Sequence, residues 1–255
     1  MDHLQRTRQE FTRQAAGFAA AAATTDGAVL ARLVEAIPGP ARGRVLDVAC
    51  GPGIVTSALA ECAREVIGLD LTPQMLEKAK ERCSKAGRTN VVFKEGSATA
   101  LPFPGAYFDA VVTRLSFHHF LEPNAVLNEM LRVLRPGGTV VIADVVSAEE
   151  PDKSALHNAI EILRDPSHVR MLPASELIAL VAQSGAAIER QETWDKPREF
   201  EEWADIVADP ERIAPLRTIV RALAMAGADA GMGLRLRDGL IHFFHRWQLV
   251  TARKT

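Results

Sequence analysis

Four residues early in the chain have the types and spacing to hold a ligand. Asp47, Gly51 and Gly53 lie in Val45-Leu-Asp-Val-Ala-Cys-Gly-Pro-Gly53, and Asp70 closes Glu65-Val-Ile-Gly-Leu-Asp70. Glycines let a backbone pass close beneath a bound group where a Cβ would collide. A carboxylate about 20 residues beyond such a turn can accept hydrogen bonds from both hydroxyls of a ribose. A dinucleotide fits poorly. Its fingerprint needs a third glycine where this chain has Thr56, and a pyrophosphate would meet the Asp47 carboxylate. A ligand with an ammonium for Asp47 and a carboxylate for free N–H groups suits the stretch better. S-adenosylmethionine has both, and a ribose.

The elements that must position these groups read as a parallel α/β sheet. Val45, Leu46 and Val48 form an apolar run that stops at the glycines, and a helical pattern follows from Ile54 to Cys62. Asp70 ends the second strand. Thr72-Pro73 then opens a helix, a hydroxyl N-cap with proline in the first turn, that runs to Gly87. Asn90 to Glu95 is a third strand before Gly96-Ser97-Ala98, and Phe108 to Thr113 a fourth, delivering Arg114-Leu-Ser-Phe-His118-His119. A helix from Pro123 to Leu134 leads to strand five, Thr139 to Val146, where Asp144 reads as a solvated strand end. Ligands bind at the carboxyl ends of such strands, so one of the two histidines is expected to face the site.

These stretches, with Met75-Leu-Glu-Lys-Ala79, Leu101-Pro-Phe-Pro104 and Arg132-Val-Leu-Arg-Pro-Gly-Gly138, resemble class I S-adenosylmethionine-dependent methyltransferases. The branch is the one holding the ubiquinone/menaquinone C-methyltransferases and many small-molecule methyltransferases. The likeness spans roughly residues 40 to 145. It implies a Rossmann-like three-layer α/β sandwich: a mostly parallel seven-stranded sheet with an antiparallel last strand, plus N-terminal and inserted cap helices. It also implies S-adenosylmethionine as cofactor and S-adenosylhomocysteine as product. The cofactor set carried over is Asp47, Ala49, Gly51, Gly53, Asp70, Leu71, Met75, Gly96, Ser97, Ala98 and Arg114. At Ser97 the family commonly has an acid for the adenine amine, so a hydroxyl there gives a neutral, weaker bond. The resemblance places the methyl acceptor beside His118 and His119, with Phe11 and Phe18 closing from the N-terminus and His168 and Arg170 shaping the pocket. His119 is the candidate base, since imidazole titrates near neutrality; His118 reads equally as a packing or capping residue.

The product would be a small molecule, partly apolar or aromatic, methylated on O, N or C by in-line displacement, which needs collinear geometry and exclusion of water. Two alternatives stay open: another reaction on a bound S-adenosylmethionine, such as cyclisation or elimination, and a catalytically silent binding module. No metal constellation is read.

The 255 residues suit one domain: lid helices over 1–40, a core of 41–194 with 243–255, and a helical cap over 195–242. Phe11, Ala15 and Phe18 share a helical face, and a second helix spans Asp26 to Ile37; such stripes are also ordinary packing. Beyond strand five come a helix from Pro151 to Arg164, another from Ser175 to Ser184, and strand six from Ala186 to Trp194. Cap helices follow over Pro197 to Val207 and Arg212 to Ala226, then a last strand from Phe243 to Ala252. Phe200, Trp203, Leu216, Met225 and Met232 suggest a cap suited to an apolar acceptor. A net charge of −2 without a basic block argues against nucleic acid. No run reaches membrane-spanning length and no signal-peptide core opens the chain. Cys50, Cys62 and Cys83 read as thiols of a reducing cytoplasm. A monomer or homodimer is expected.

Overall fold

The computed structural model describes residues 2–21, 26–39 and 42–255. Its sheet begins with β1 (Arg44–Val48), β2 (Glu65–Asp70), β3 (Val91–Glu95), β4 (Phe108–Arg114) and β5 (Leu134–Val146). All four pairings among them are parallel, and β8 (Leu240–Arg253) runs antiparallel between β5 and β6 (Ala187–Glu199). The order is β3-β2-β1-β4-β5-β8-β6. That is the mixed sheet with one reversed strand implied above, extended by a three-residue β7 (Arg235–Arg237) that pairs only with β8.

Alternation along the strands divides the core into two layers. Leu46, Ile67, Leu69 and Val111 face α5 (Pro123–Val133) and α7 (Ala174–Gln183), while Val45, Val66, Ala110 and Val112 face α2 (Gly27–Glu35) and α3 (Ile54–Leu59). Central parallel strands are buried on both sides, which is why they read as continuous apolar runs. Truncating a fully buried residue such as Leu46 to alanine costs about 2–5 kcal/mol. α4 (Pro73–Lys85) flanks β2 and β3, and α1 (His3–Ala20) lies across α4.

Several boundaries move from the sequence reading, each for a local reason. β6 runs on to Glu199 because it is an edge strand, where Pro197 needs no ladder donor; the proline reads as a helix start only if that edge is unseen. β6 and β8 pair from Ala187↔Arg253 to Glu199↔His242, so the last strand starts at Leu240 and both ends of 195–242 are sheet. Only α8 (Phe200–Asp205) and α9 (Pro210–Met225) are helical there. Thr72 is the N-cap of α4, but its hydroxyl makes no cap bond and is buried without a partner.

The three cysteines are free thiols. Among the described residues no helix is long and apolar enough to cross a membrane.

Candidate functional site

The carboxyl ends of β1, β2 and β4 open into a cavity of about 380 Å³. The loop after β3, a short 3-10 turn at Phe117–His119 and α1 complete its walls. Of the cofactor residues expected from sequence, Asp47, Ala49, Gly51, Asp70, Leu71, Met75, Gly96, Ser97, Ala98 and Arg114 all line it. Phe11, Phe18 and His119 line it too.

The turn after β1 is held by Asp70. Its Oδ2 accepts the Gly51 N–H at 2.8 Å and its Oδ1 the Thr72 N–H at 2.8 Å. Each oxygen keeps a lone pair for a ligand, the pair of acceptors a ribose diol needs. Burial pushes this carboxyl up, against those backbone bonds. Asp47 lies deeper, and burial pushes it to about 7; the Thr56 hydroxyl, donating at 2.6 Å, and the nearby Arg114 guanidinium work the other way. Burial lowers Arg114 to about 10, with Asp47 opposing. The wall thus carries one carboxylate and one guanidinium, charges opposite to those of an amino-acid zwitterion.

Ala49 and Leu115, at the ends of β1 and β4, have φ of 55° and 54°. Left-handed backbone at non-glycine residues collects where a site over-determines the chain, and neither residue type announces it in sequence. Ser97 faces Thr99, its oxygen 2.8 Å from the Thr99 hydroxyl and 3.3 Å from the Thr99 N–H.

Gly53 is corrected. It does not line the cavity; its φ is +73° and a Cβ would sit 2.8 Å from the Ala79 Cβ. Glycine is needed there for close approach of α4. His118, His168 and Arg170 are also absent from the cavity wall. His118 donates from Nδ1 to Asp144 at 2.7 Å, which raises it although burial disfavours its charge. Asp144 is thus buried, not a solvated strand end. His168 donates to Asn158 at 2.9 Å, and burial takes it down to about 3. Arg170 pairs with Glu176 on the surface.

The 165–170 loop braces the histidine pair from behind. The Val169 and Arg170 N–H groups donate to the His118 carbonyl. His119 donates from Nδ1 to the Ser167 carbonyl at 3.0 Å, which fixes the proton on Nδ1 and leaves Nε2 as an acceptor. Burial, then His118, lower His119 to about 4. It is neutral at physiological pH rather than titrating there.

Apolar side chains close the far end: Leu4, Phe11, Phe18, Leu115, Phe120 and Leu121. The Phe11 ring stands edge-on to His119, centroids 4.8 Å apart. No residue after Glu122 lines the cavity. Phe200, Trp203, Leu216 and Met232 instead form a core of their own with α6 (Pro151–Arg164) and β8, and Met225 is exposed. The cover over the cavity is α1, not the 195–242 segment.

Among the described residues one group brings three side chains able to ligate a metal within 4.8 Å of one another: His157, Glu161 and His245. Sequence spacing hides it because Glu161 and His245 are 84 residues apart. Arg198 donates to His245 Nδ1 at 3.2 Å, so the proton sits on Nε2 and is given to Glu161 at 3.1 Å.

Known proteins agree with this geometry. A methyltransferase domain family matches residues 46–142. The uncharacterized methyltransferase YcgJ of Bacillus subtilis is 33% identical over 178 residues, 70% of each chain. A demethylmenaquinone methyltransferase of Deinococcus radiodurans is 40% identical over 119 residues, 46% of this chain and 47% of that one. The crystal structure of a Bacillus halodurans methyltransferase superposes with a TM-score of 0.82 at 28% identity, covering 89% of this chain and 99% of the other. With a methyltransferase relative 33% identical over 70% of both chains, the chain belongs to the class I S-adenosylmethionine-dependent methyltransferases.

Proposed function

We propose that the enzyme methylates a nucleophilic O, N or C atom of a small, partly apolar or aromatic molecule by in-line displacement. The observation that carries this is the continuity of the cavity, from Asp70 and Asp47 to the chamber of Phe11, Phe18, Phe120 and His119. Asp70 would hold the ribose hydroxyls, Asp47 the ammonium and Arg114 the carboxylate. The Ala98 N–H and the Ser97 hydroxyl would meet the adenine, with Leu71 and Met75 packing beside it. The bound cofactor supplies a methyl group already activated by its sulfonium.

The protein's part is orientation and exclusion of water. Apolar walls take an aromatic acceptor, and His119 Nε2 accepts the proton the acceptor loses. Because His119 stays neutral, that nitrogen is available at all physiological pH values. Its low basicity suits a proton released as the new bond forms, when the acceptor atom becomes strongly acidic. Beside the apolar walls lie His3, Thr7, Ser116, His119 and Glu122, and among the described residues the one arginine or lysine on the cavity wall is Arg114, assigned here to the cofactor carboxylate.

The test is mass spectrometry of a panel containing a phenol, an aromatic amine and demethylmenaquinone, incubated with cofactor and enzyme. Gain of one methyl with release of S-adenosylhomocysteine supports the reading. Uptake by hydrophilic anionic acceptors alone would refute it. His119→Ala should lower turnover of a protic acceptor about a hundredfold with cofactor affinity unchanged; full activity in that variant would remove the base.

A further inference from the structure

We propose that Gln14 and Asp165 are positioning residues for the His119 ring, so that seating of α1 over the cavity and fixing of the ring are one event. The part that concerns catalysis rests on His119 acting as proton acceptor; the positioning itself does not.

The chain of contacts is continuous and buried. From α1, Gln14 donates its Nε2–H to Asp165 Oδ2 at 3.0 Å. The other oxygen of Asp165 accepts the Ser167 N–H at 2.9 Å and the Ser167 hydroxyl at 2.6 Å. The Ser167 carbonyl accepts His119 Nδ1–H. Gln14 is fully buried and Asp165 3% exposed. Although burial favours its neutral form, the field of His119, the Ser167 and Gln14 bonds and the neighbouring Arg164 keep Asp165 at about 2. It is therefore a fixed anion behind the ring. The arrangement has the logic of a base oriented by a third group, with the carboxylate acting through a serine turn.

α1 grips His119 from a second side. His3 donates from Nε2 to the His119 carbonyl at 2.8 Å, and Phe11 lies against the ring. His3, Phe11 and Gln14 fall on one face because positions 3 and 14 are about three helical turns apart. Backbone, ring face and ring nitrogen of one residue are thus all supported, directly or through Asp165, by one helix. That helix also lines the cavity, with His3, Leu4, Thr7, Phe11 and Phe18, so what seats α1 also shapes the site.

Gln14 itself favours a latch over packing. Its Oε1 is buried with no partner, a cost an apolar residue would avoid. The amide makes the seat of α1 conditional on the Asp165 carboxylate. Outer ties, Arg8 to Glu95 at 2.7 Å, Arg13 to Asp209 at 2.6 Å and Arg212 to Glu10 at 3.3 Å, are more exposed and more open to water.

The experiment uses the whole chain with S-adenosylhomocysteine as the probe. ¹⁵N-histidine spectra read the His119 tautomer, and amide hydrogen exchange reads α1. In the parent enzyme His119 should show one Nδ1–H tautomer and α1 should be protected. Gln14→Met keeps the length and removes the bond. It should raise α1 exchange about tenfold or more and average the His119 tautomers. Gln14→Glu places a second carboxyl against Asp165. It should loosen α1 at neutral pH and restore both signals in mildly acid buffer, where the introduced carboxyl protonates and donates; Gln14→Met should not recover there. Parent-like signals in both variants would overturn the proposal, and so would a loosened α1 with an unchanged His119 ring. A fully active His119→Ala enzyme would remove the base role yet leave the spectra of the parent and the Gln14 variants as expected, so the two readings fail separately.

Discussion

The two glycines of the first turn should fail in different ways when given a methyl group. Gly51 and Gly53 both have positive φ, +53° and +73°, so alanine at either costs about 1–2 kcal/mol of backbone strain. At Gly51 a Cβ meets no protein atom within 4 Å. The Gly51 N–H is held by Asp70 on the cavity wall, so the methyl intrudes where the cofactor must approach. At Gly53 the Cβ would stand 2.8 Å from the Ala79 Cβ and 2.9 Å from its Cα. Relief requires α4 to shift, and overpacking of that kind adds about 1–3 kcal/mol. Gly53→Ala should therefore lose about 2–5 kcal/mol of stability, the sum of the two terms, with S-adenosylhomocysteine affinity nearly kept. Gly51→Ala should lose about 1–2 kcal/mol of stability and affinity as well. Urea unfolding and calorimetry separate the two. A stable Gly53→Ala protein that cannot bind would refute the division of labour.

Asp70→Ala removes the acceptors proposed for the ribose and should weaken S-adenosylhomocysteine by about 2 kcal/mol or more, whereas Ser97→Ala should cost about 1 kcal/mol or less; equal losses in calorimetry would overturn that ranking. Asp47 must be ionised to hold an ammonium, and burial puts it at about 7. Calorimetric affinity should therefore rise as pH climbs through neutrality and flatten in Asp47→Asn, and a flat parent profile would contradict it. Folding should weaken in acid. His119, His168 and His245 have folded values of about 4, 3 and 4, below the unfolded value of about 6.5. The unfolded chain binds more protons between those values, so stability present above pH about 6.5 is lost as pH falls toward 4. Thermal unfolding across that range checks this, and unchanged stability would refute it.

The parallel core was legible because each strand ends in a residue that marks it: Asp70 after Val66 to Leu69, or the Cys50-Gly51 turn after Val48. Apolar periodicity also located α1 and put Phe11 and Phe18 on one of its faces, though not the contact of Phe11 with His119. What stayed hidden depends on tertiary neighbours. Gly53 looks like Gly51 until Ala79 is seen beside it. Asp144 resembles a strand end in water until His118 covers it. Pro197 suggests a helix start because nothing local says that β6 is an edge. Gln14 and Asp165 carry no sequence signal at all, being 151 residues apart. The apolar residues of 195–242 were visible, but their destination was not: they satisfy one another against α6 and β8.

The central claim is that one cavity seats the cofactor on Asp70 and turns its methyl toward the chamber of Phe11 and His119. A crystal structure with S-adenosylhomocysteine measures this directly. The account predicts both ribose hydroxyls within hydrogen-bond distance of Asp70, the ammonium at Asp47, and the sulfur facing the His119 ring under a seated α1. Ribose bound away from Asp70, or a sulfur pointing away from the chamber beneath α1, would contradict it.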